Sequence, residues 1–525
     1  MGILHIPSTR SRMEKTYQCF LEGEEPEAAD VMLIFGIFAG AALLWTPQLL
    51  ETLKSTREGA GAAFMVYTRL ALAILDHPRQ LIQASTISLA AIGVMAHILM
   101  NTDGFPLKVH LLRHRCFMMS RELQIHRLDT EKCREDRRIK GCDMIDIEVQ
   151  RRLWWGMVAS DWLLSFSGGA QEGAYIFQPK HMNVNFPSNT DDEYITCAGI
   201  HREFPMSVPT SMSAFFWRIK TSELCRQVID ALPSVLLDSS ENDYDTILEL
   251  DQRFQKLIED MPVFFKIDPD SIEQSREICK ERPYIAWQRT SIHFSLNTRL
   301  CRLHRPYHLE GTMNPKYAYS HMVCIRSAQK VLELRRSMDD IKTDVGLMPG
   351  RFWTVMHHVF FAALILAMDV SFNPNAPDVE ARKAKVMAGY QMLERSKKES
   401  NYLMQGVQKN LQTLMSTLHK QQSQPVSSTF KGDSAGASEP ARVQTLPASG
   451  LSDSVRVPGT QRTTIQPSSI IEADGDQGSI LVNDIGEEGW DQLWSEFVAV
   501  APDLDIPQWS SLLEEVDFNT GLDVF

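Results

Sequence analysis

The segment EVQRRLWWGMVASDWLLSF, residues 148–166, gathers two arginines, three tryptophans and an aspartate. Three kinds of chemistry could use such a group. An acid beside two cations could bind a substrate and move a proton. Tryptophans beside arginines could stack on nucleic-acid bases. Or the segment could be one buried helix whose charges are met from within. The spacing favours the third. Val149, Leu153, Met157 and Leu164 share one helical stripe, and Trp154, Val158 and Trp162 widen it, so that nearly every face is apolar. Tryptophans that stack on bases would stand exposed among many basic residues. Arg151, Arg152 and Asp161 are therefore expected to find internal ion pairs or helix-end carbonyls.

The other residues that could do chemistry do not converge. The motifs G-x-S-x-G, H-E-x-x-H, Walker A and G-x-G-x-x-G are absent from the chain. GAGAAF, 59–64, lacks a third glycine and a preceding strand. His357 and His358 are adjacent, roughly 100° apart on a helix, which reads as core or rim histidines and not a metal pair. Asp191 with Asp192, and Asp339 with Asp340, sit in polar sequence and read as solvated. The 9 cysteines include no two closer than nine residues, so no zinc spacing exists, and reduced thiols of a nuclear or cytosolic protein are expected. The expectation is no catalytic residue, no metal, no cofactor and no enzyme.

What remains is helical. Apolar residues recur three and four apart from about 28 to 420, predicting helices near 29–45, 59–76, 79–100, 107–126, 145–167, 212–232, 243–260, 282–304, 317–337, 351–370 and 378–419. The span 168–210, rich in Gly, Pro, Asn and Asp, predicts a long irregular connection. The fold class expected is all-α, with one large helical domain over 1–420. Met404, Val407, Leu411, Leu414 and Leu418 form a short a/d stripe, better suited to packing on the body than to a coiled coil. The uncharged run 31–50 has the length of a membrane span, but Pro47 interrupts it and acids flank it, so a core helix is expected and no membrane partner.

Charge divides the chain. The net charge is −13, and residues 421–525 carry 17 acids against 4 bases, so the body is neutral and the tail holds the excess. Broad phosphate binding is therefore not expected. Residues 421–470 are rich in Ser, Pro, Gly and Gln, the composition of a disordered linker. Over 471–525 large apolar residues return without any Lys or Arg: Trp490, Leu493, Trp494 and Phe497, then Trp509, Leu512, Leu513 and Val516, each set at i, i+3, i+4, i+7. Two short amphipathic helices with acidic outer faces suit docking into a partner's groove, the mark of an acidic activation region. Docking back onto the body is the alternative.

The arginine–tryptophan segment also carries a resemblance. RRLWW followed by Asp161 resembles the signature of the fungal-specific transcription factor domain, the middle homology region of the binuclear-zinc-cluster regulators. MSRELQIHRLD, 119–129, resembles a further motif of that domain, with Gln124 where glycine is usual. DMPVFFK, 260–266, and TRLCRLHRPYHLEG, 298–311, resemble two more, the latter on Leu303, His304, Arg305 and Pro306. The resemblance spans roughly residues 1 to 370. It implies an all-helical regulatory module in which Arg151, Arg152, Trp154, Trp155, Asp161 and Leu303 to Pro306 are structural, tuned by small molecules or partners. It implies a nuclear transcription regulator, an activator of a gene set such as a secondary-metabolite cluster, whose tail engages the transcription machinery or coactivators. The zinc cluster of that family is not in this chain, and ILHIPST, 3–9, already resembles the start of the regulatory domain. DNA would then be reached through a homo- or heterodimer with a DNA-binding relative, or through a domain encoded upstream. Two other readings stand beside it: a cytosolic or nuclear ligand-sensing module without activation, and a membrane-associated protein anchored by 31–50.

Overall fold

A computed structural model describes residues 2–399 apart from 78–81, 105, 170, 233–242, 342–347 and 374–376; all statements of structure concern these residues. The fold is all-α. Among the described residues the strands are one small antiparallel pair, Ile195–Thr196 with Gly199–Ile200.

Helix α1 (Ile6–Glu22) opens on the His5 side chain, which accepts from the Ser8 backbone, and ends at Gly23 in the left-handed region. The run 31–50 does not form one span: α2 (Ala28–Leu43) stops before Pro47, which opens the short α3 (Pro47–Thr52) under a Thr46 cap. α4 (Arg57–Leu75) starts on Thr56 and α5 (Thr86–Asp103) on Ser85, whose hydroxyl accepts the Ser88 N–H at 3.0 Å. α2 lies against α4 and α5, burying Met32, Leu33 and Ala39. α4, α5 and a later helix, Trp353–Phe372, are long and apolar enough to cross a membrane by length and composition; 72% of the apolar window is buried within the molecule in α5 and in the later helix, and 28% in α4.

α6 (Leu107–Glu122), α7 (Glu131–Lys140) and α8 (Met144–Leu164) follow, and α8 carries the arginines and tryptophans. Two neighbours in contact, α9 (Ser213–Ala231) and α10 (Tyr244–Glu259), lead through the short α11 (Pro269–Gln274) and α12 (Arg276–Glu281) to α13 (Tyr284–His304). α14 (Ala318–Asp340), α15 (Trp353–Phe372) and α16 (Val379–Glu399) complete the order. Three apolar clusters fill the interior: one on α2, α4, α5, α6 and α8, one on α9, α10 and α13, one on α13 to α16. α15 also touches α5, closing the C-terminal cluster onto the N-terminal one.

Several boundaries differ from the sequence reading for local reasons. The helix expected from 79 begins at Thr86, where the Ser85 cap sets its start. α6, expected to run to 126, ends at Glu122 because Gln124 turns left-handed at φ 56°. α1 and α7 were not expected: α1 leaves Tyr17, Phe20 and Leu21 exposed and α7 buries no residue, so neither shows an inward apolar stripe. The stripe Met404 to Leu418, the linker and the acidic tail, with Trp490, Leu493, Trp494, Phe497, Trp509, Leu512, Leu513 and Val516, lie outside the described residues.

Candidate functional site

α8 acts as a clamp on the irregular connection that follows it. The Trp155 indole donates to the Asn185 carbonyl at 2.9 Å and that of Trp162 to the Phe177 carbonyl at 2.9 Å, while Trp154 packs edge-on against Phe177. Arg152, 1% exposed, donates to Asp192 at 2.7 Å and to the Leu4 carbonyl at 3.3 Å, and pairs with Glu148. Glu148 in turn accepts the Ser188 N–H at 2.9 Å. Arg151 and Arg137 meet on Asp129, which also accepts the Asn185 N–H at 2.8 Å. These donors hold the Asp129 carboxyl below its usual range although burial alone would raise it. Asp161 accepts from the Ile176 and Phe177 backbones at 2.7 and 3.0 Å and from Gln171 at 2.6 Å. Every charge of the arginine–tryptophan motif is thus spent on fixing residues 171–192.

The acid pair Asp191 and Asp192 is a correction to the solvated reading. Asp192 binds Arg152 and the Ile6 N–H, and Asp191 binds Arg282 and the Ser211 N–H, so both are structural. Long-range pairing of this kind leaves no trace in local composition.

The second motif region is also structural. Leu303 is core, and Pro306 sits in the first turn of the 3-10 segment Arg305–Tyr307, where its missing N–H is harmless. Arg305 is 9% exposed. His304 bridges Ser320 at 2.8 Å and Asp251 at 3.3 Å, and Asp251 accepts from the Tyr319 hydroxyl at 2.7 Å. The connectivity is that of a Ser–His–Asp triad. His304 and Ser320 are fully buried and Asp251 is 2% exposed, and none of the three lines a described cavity.

Beside α8, and bordered by Asp161, Gln171, Ile176 and Phe177 of the same clamp, lies a cavity of about 820 Å³, the size of small-molecule sites. α5 contributes Gly93 and His97, α6 Arg113 and Phe117, α8 Gly156 and Met157, α9 Phe215 and Arg218, and α13 Trp287 and Gln288. The walls are mostly apolar, and glycine at 93 and 156 keeps two helices from filling them: a Cβ on Gly93 would meet nothing within 4 Å.

The cavity's charged groups are two arginines and one aspartate, Arg113, Arg218 and Asp161. Arg113 donates to Gln171 at 2.5 Å and stands 3.5 Å from Asp161. Burial pushes Asp161 up and Arg113 down, each toward its neutral form, so desolvation outweighs what this long pair returns. Arg218 donates to the Ser160 hydroxyl at 2.8 Å and has no carboxylate within 4 Å among the described residues. Burial, with Arg299 and Arg113 nearby, lowers it to about 10, so it stays charged at neutral pH. Burial, reinforced by Arg218, takes His97 down to about 3, so this imidazole is neutral. Two lining residues also carry buried polar atoms without partners, the Trp217 Nε1 donor and the Gln288 Oε1 acceptor. Sequence reading missed this site. Its one local signal was a cation set between two apolar residues, Arg218 between Trp217 and Ile219.

Comparison with known proteins now places the chain. It is 31% identical over 517 residues to the "Probable transcription factor lepB" of Aspergillus flavus, covering 98% of this chain and 88% of that protein. The chain belongs to a family of fungal transcription factors. The regulator is also 28% identical over 78% of its length to the "Agnestins biosynthesis cluster transcription factor AgnL11" of Paecilomyces divaricatus. It is 30% identical over 72% of its length to the "Transcription factor TAS2" of Pyricularia oryzae. Those matches span 58% and 51% of the two relatives, little more than half of each. No family model matches the regulator. These relatives are transcription factors and not enzymes, in keeping with the sealed His304 network.

Proposed function

We propose that this protein is a nuclear, ligand-responsive transcription activator of a gene set such as a secondary-metabolite biosynthetic cluster. Residues 1–420 form the regulatory module, 421–470 a disordered linker and 471–525 the activating region. The tail engages coactivators or the transcription machinery through Trp490, Leu493, Trp494, Phe497, Trp509, Leu512, Leu513 and Val516. DNA is reached through a DNA-binding partner, a homo- or heterodimer, or through a DNA-binding segment other than these residues. The body is the fungal-specific regulatory domain, and the protein catalyses nothing.

The observation that carries this reading is the match to a transcription factor over 98% of the chain, which takes in the acidic tail as well as the helical body. The name of one relative, a biosynthesis-cluster factor, supports the gene set, and the cavity supports a small-molecule input. A reporter assay of residues 471–525 fused to an unrelated DNA-binding domain tests it. Activation that is lost when the eight apolar residues become alanine is the expected result. A silent wild-type tail would leave the ligand-sensing module without activation as the better account.

A further inference from the structure

We propose that the cavity binds an amphipathic organic monoanion, a molecule with a largely apolar ring or chain body and one carboxylate-like acid, which seats on Arg218 and Arg113. The proposal rests on the ligand-responsive reading of the body and names the chemistry of its ligand.

The argument begins with what Arg218 lacks. A guanidinium has five N–H donors in a fork that fits a carboxylate, and half-buried Arg218 lines this cavity with one of them engaged. Arg218 reaches one hydroxyl, on Ser160, and no carboxylate lies within 4 Å of it among the described residues. The nearby acid cannot serve. Both oxygens of Asp161 are taken by Gln171 and by the backbones of Ile176 and Phe177, and its contact with Arg113 is already a long 3.5 Å. Among the Asp, Glu, Lys and Arg side chains that line the cavity, two arginines face one aspartate, beside the imidazoles of His97, His110 and His114. A single acid on the ligand balances the second arginine.

The rest of the ligand follows from the walls. A space of about 820 Å³ edged by Phe117, Met157, Phe215 and Trp287 suits an apolar body of drug-like size. An inorganic anion would leave that surface uncovered, and a polyphosphate would bring more charge than two arginines can neutralise. The unpartnered Trp217 N–H and Gln288 carbonyl offer one donor and one acceptor for a hydroxyl or keto group on the body. The site also has a route to the rest of the fold. An acid drawing on Arg113 loosens its hold on Asp161, the residue through which α8 fixes 171–177.

Two dyes with the same aromatic body separate charge from shape: 8-anilino-1-naphthalenesulfonate, an anion, and N-phenyl-1-naphthylamine, its neutral counterpart. Each is titrated by fluorescence into the full chain and three variants, with circular dichroism to confirm folding. The wild type is expected to bind the sulfonate about tenfold tighter than the neutral dye, the scale of one charge-assisted contact. Arg218→Gln should remove that preference while leaving the neutral dye within about twofold, and Arg218→Lys should keep most of it. Gly93→Phe, which fills the empty space beside α5, should abolish both. Equal affinity of the two dyes in the wild type, or a preference that survives Arg218→Gln, overturns the anion and leaves the cavity as a ligand site. Failure of both dyes to bind, or binding untouched by Gly93→Phe, overturns the cavity as well.

Discussion

Asp161 concentrates in one carboxylate the work of the arginine–tryptophan helix. Its two oxygens meet Gln171, two backbone N–H groups and Arg113, and the residue is fully buried. Asp161→Ala strands these donors without a partner, and a loss of about 3–5 kcal/mol is expected in urea unfolding. The histidines set a pH dependence of known sign. Burial lowers His97 and His308 to about 3 and His358 well below its ordinary value. Their contribution is complete above the unfolded histidine value of about 6.5 and is lost as pH falls toward the folded values, because the unfolded chain takes up protons first. Each should cost about 1.4 kcal/mol per pH unit below that point. Melting temperatures recorded between pH 7 and 5 should fall, and His97→Gln should flatten the slope; an unchanged slope would mean that His97 is not buried neutral. At this scale the sequence was readable wherever a charge sat in an apolar helix. Arg151, Arg152 and Asp161 had to be paired internally. Their partners Asp129, Asp192 and Arg113 were not readable, because pairing across 22, 40 and 48 positions depends on topology and not on spacing.

Elements were legible where they bury an apolar stripe and where a cap marks an end. α8, α10, α13 and α15 fall within a few residues of their periodic patterns, whereas α1 and α7 expose most of their surface and offer no inward stripe to read. One departure from the family pattern has an energetic meaning. Gln124 occupies the position where the resembled motif carries glycine, and its backbone is left-handed at φ 56° with an exposed side chain. A non-glycine residue there is strained by about 1–2 kcal/mol. Gln124→Gly should therefore raise the unfolding free energy by about 1 kcal/mol, after the entropy cost of glycine is subtracted. A destabilised variant would contradict the strain. Gly93 is the converse case. It lies within α5 with open space beside it, so Gly93→Ala should stabilise the helix by about 0.5–1 kcal/mol in thermal unfolding.

At the scale of the molecule, the all-α class and the neutral body with its acidic tail follow from periodicity and charge alone. The cavity does not, because five separate helices and the connection after α8 must assemble before Gly93, Arg113, Arg218 and Gln288 face one space. The proposed ligand-responsive activator requires that this space govern what the tail does. It is tested most directly in the full chain fused to an unrelated DNA-binding domain, comparing wild type with Gly93→Phe in a reporter assay at equal protein levels. Allosteric coupling of ordinary size predicts that filling the cavity changes output by about fivefold or more, while a fusion of 471–525 alone is active without the body. Equal output from wild type and Gly93→Phe in the full chain would contradict the account.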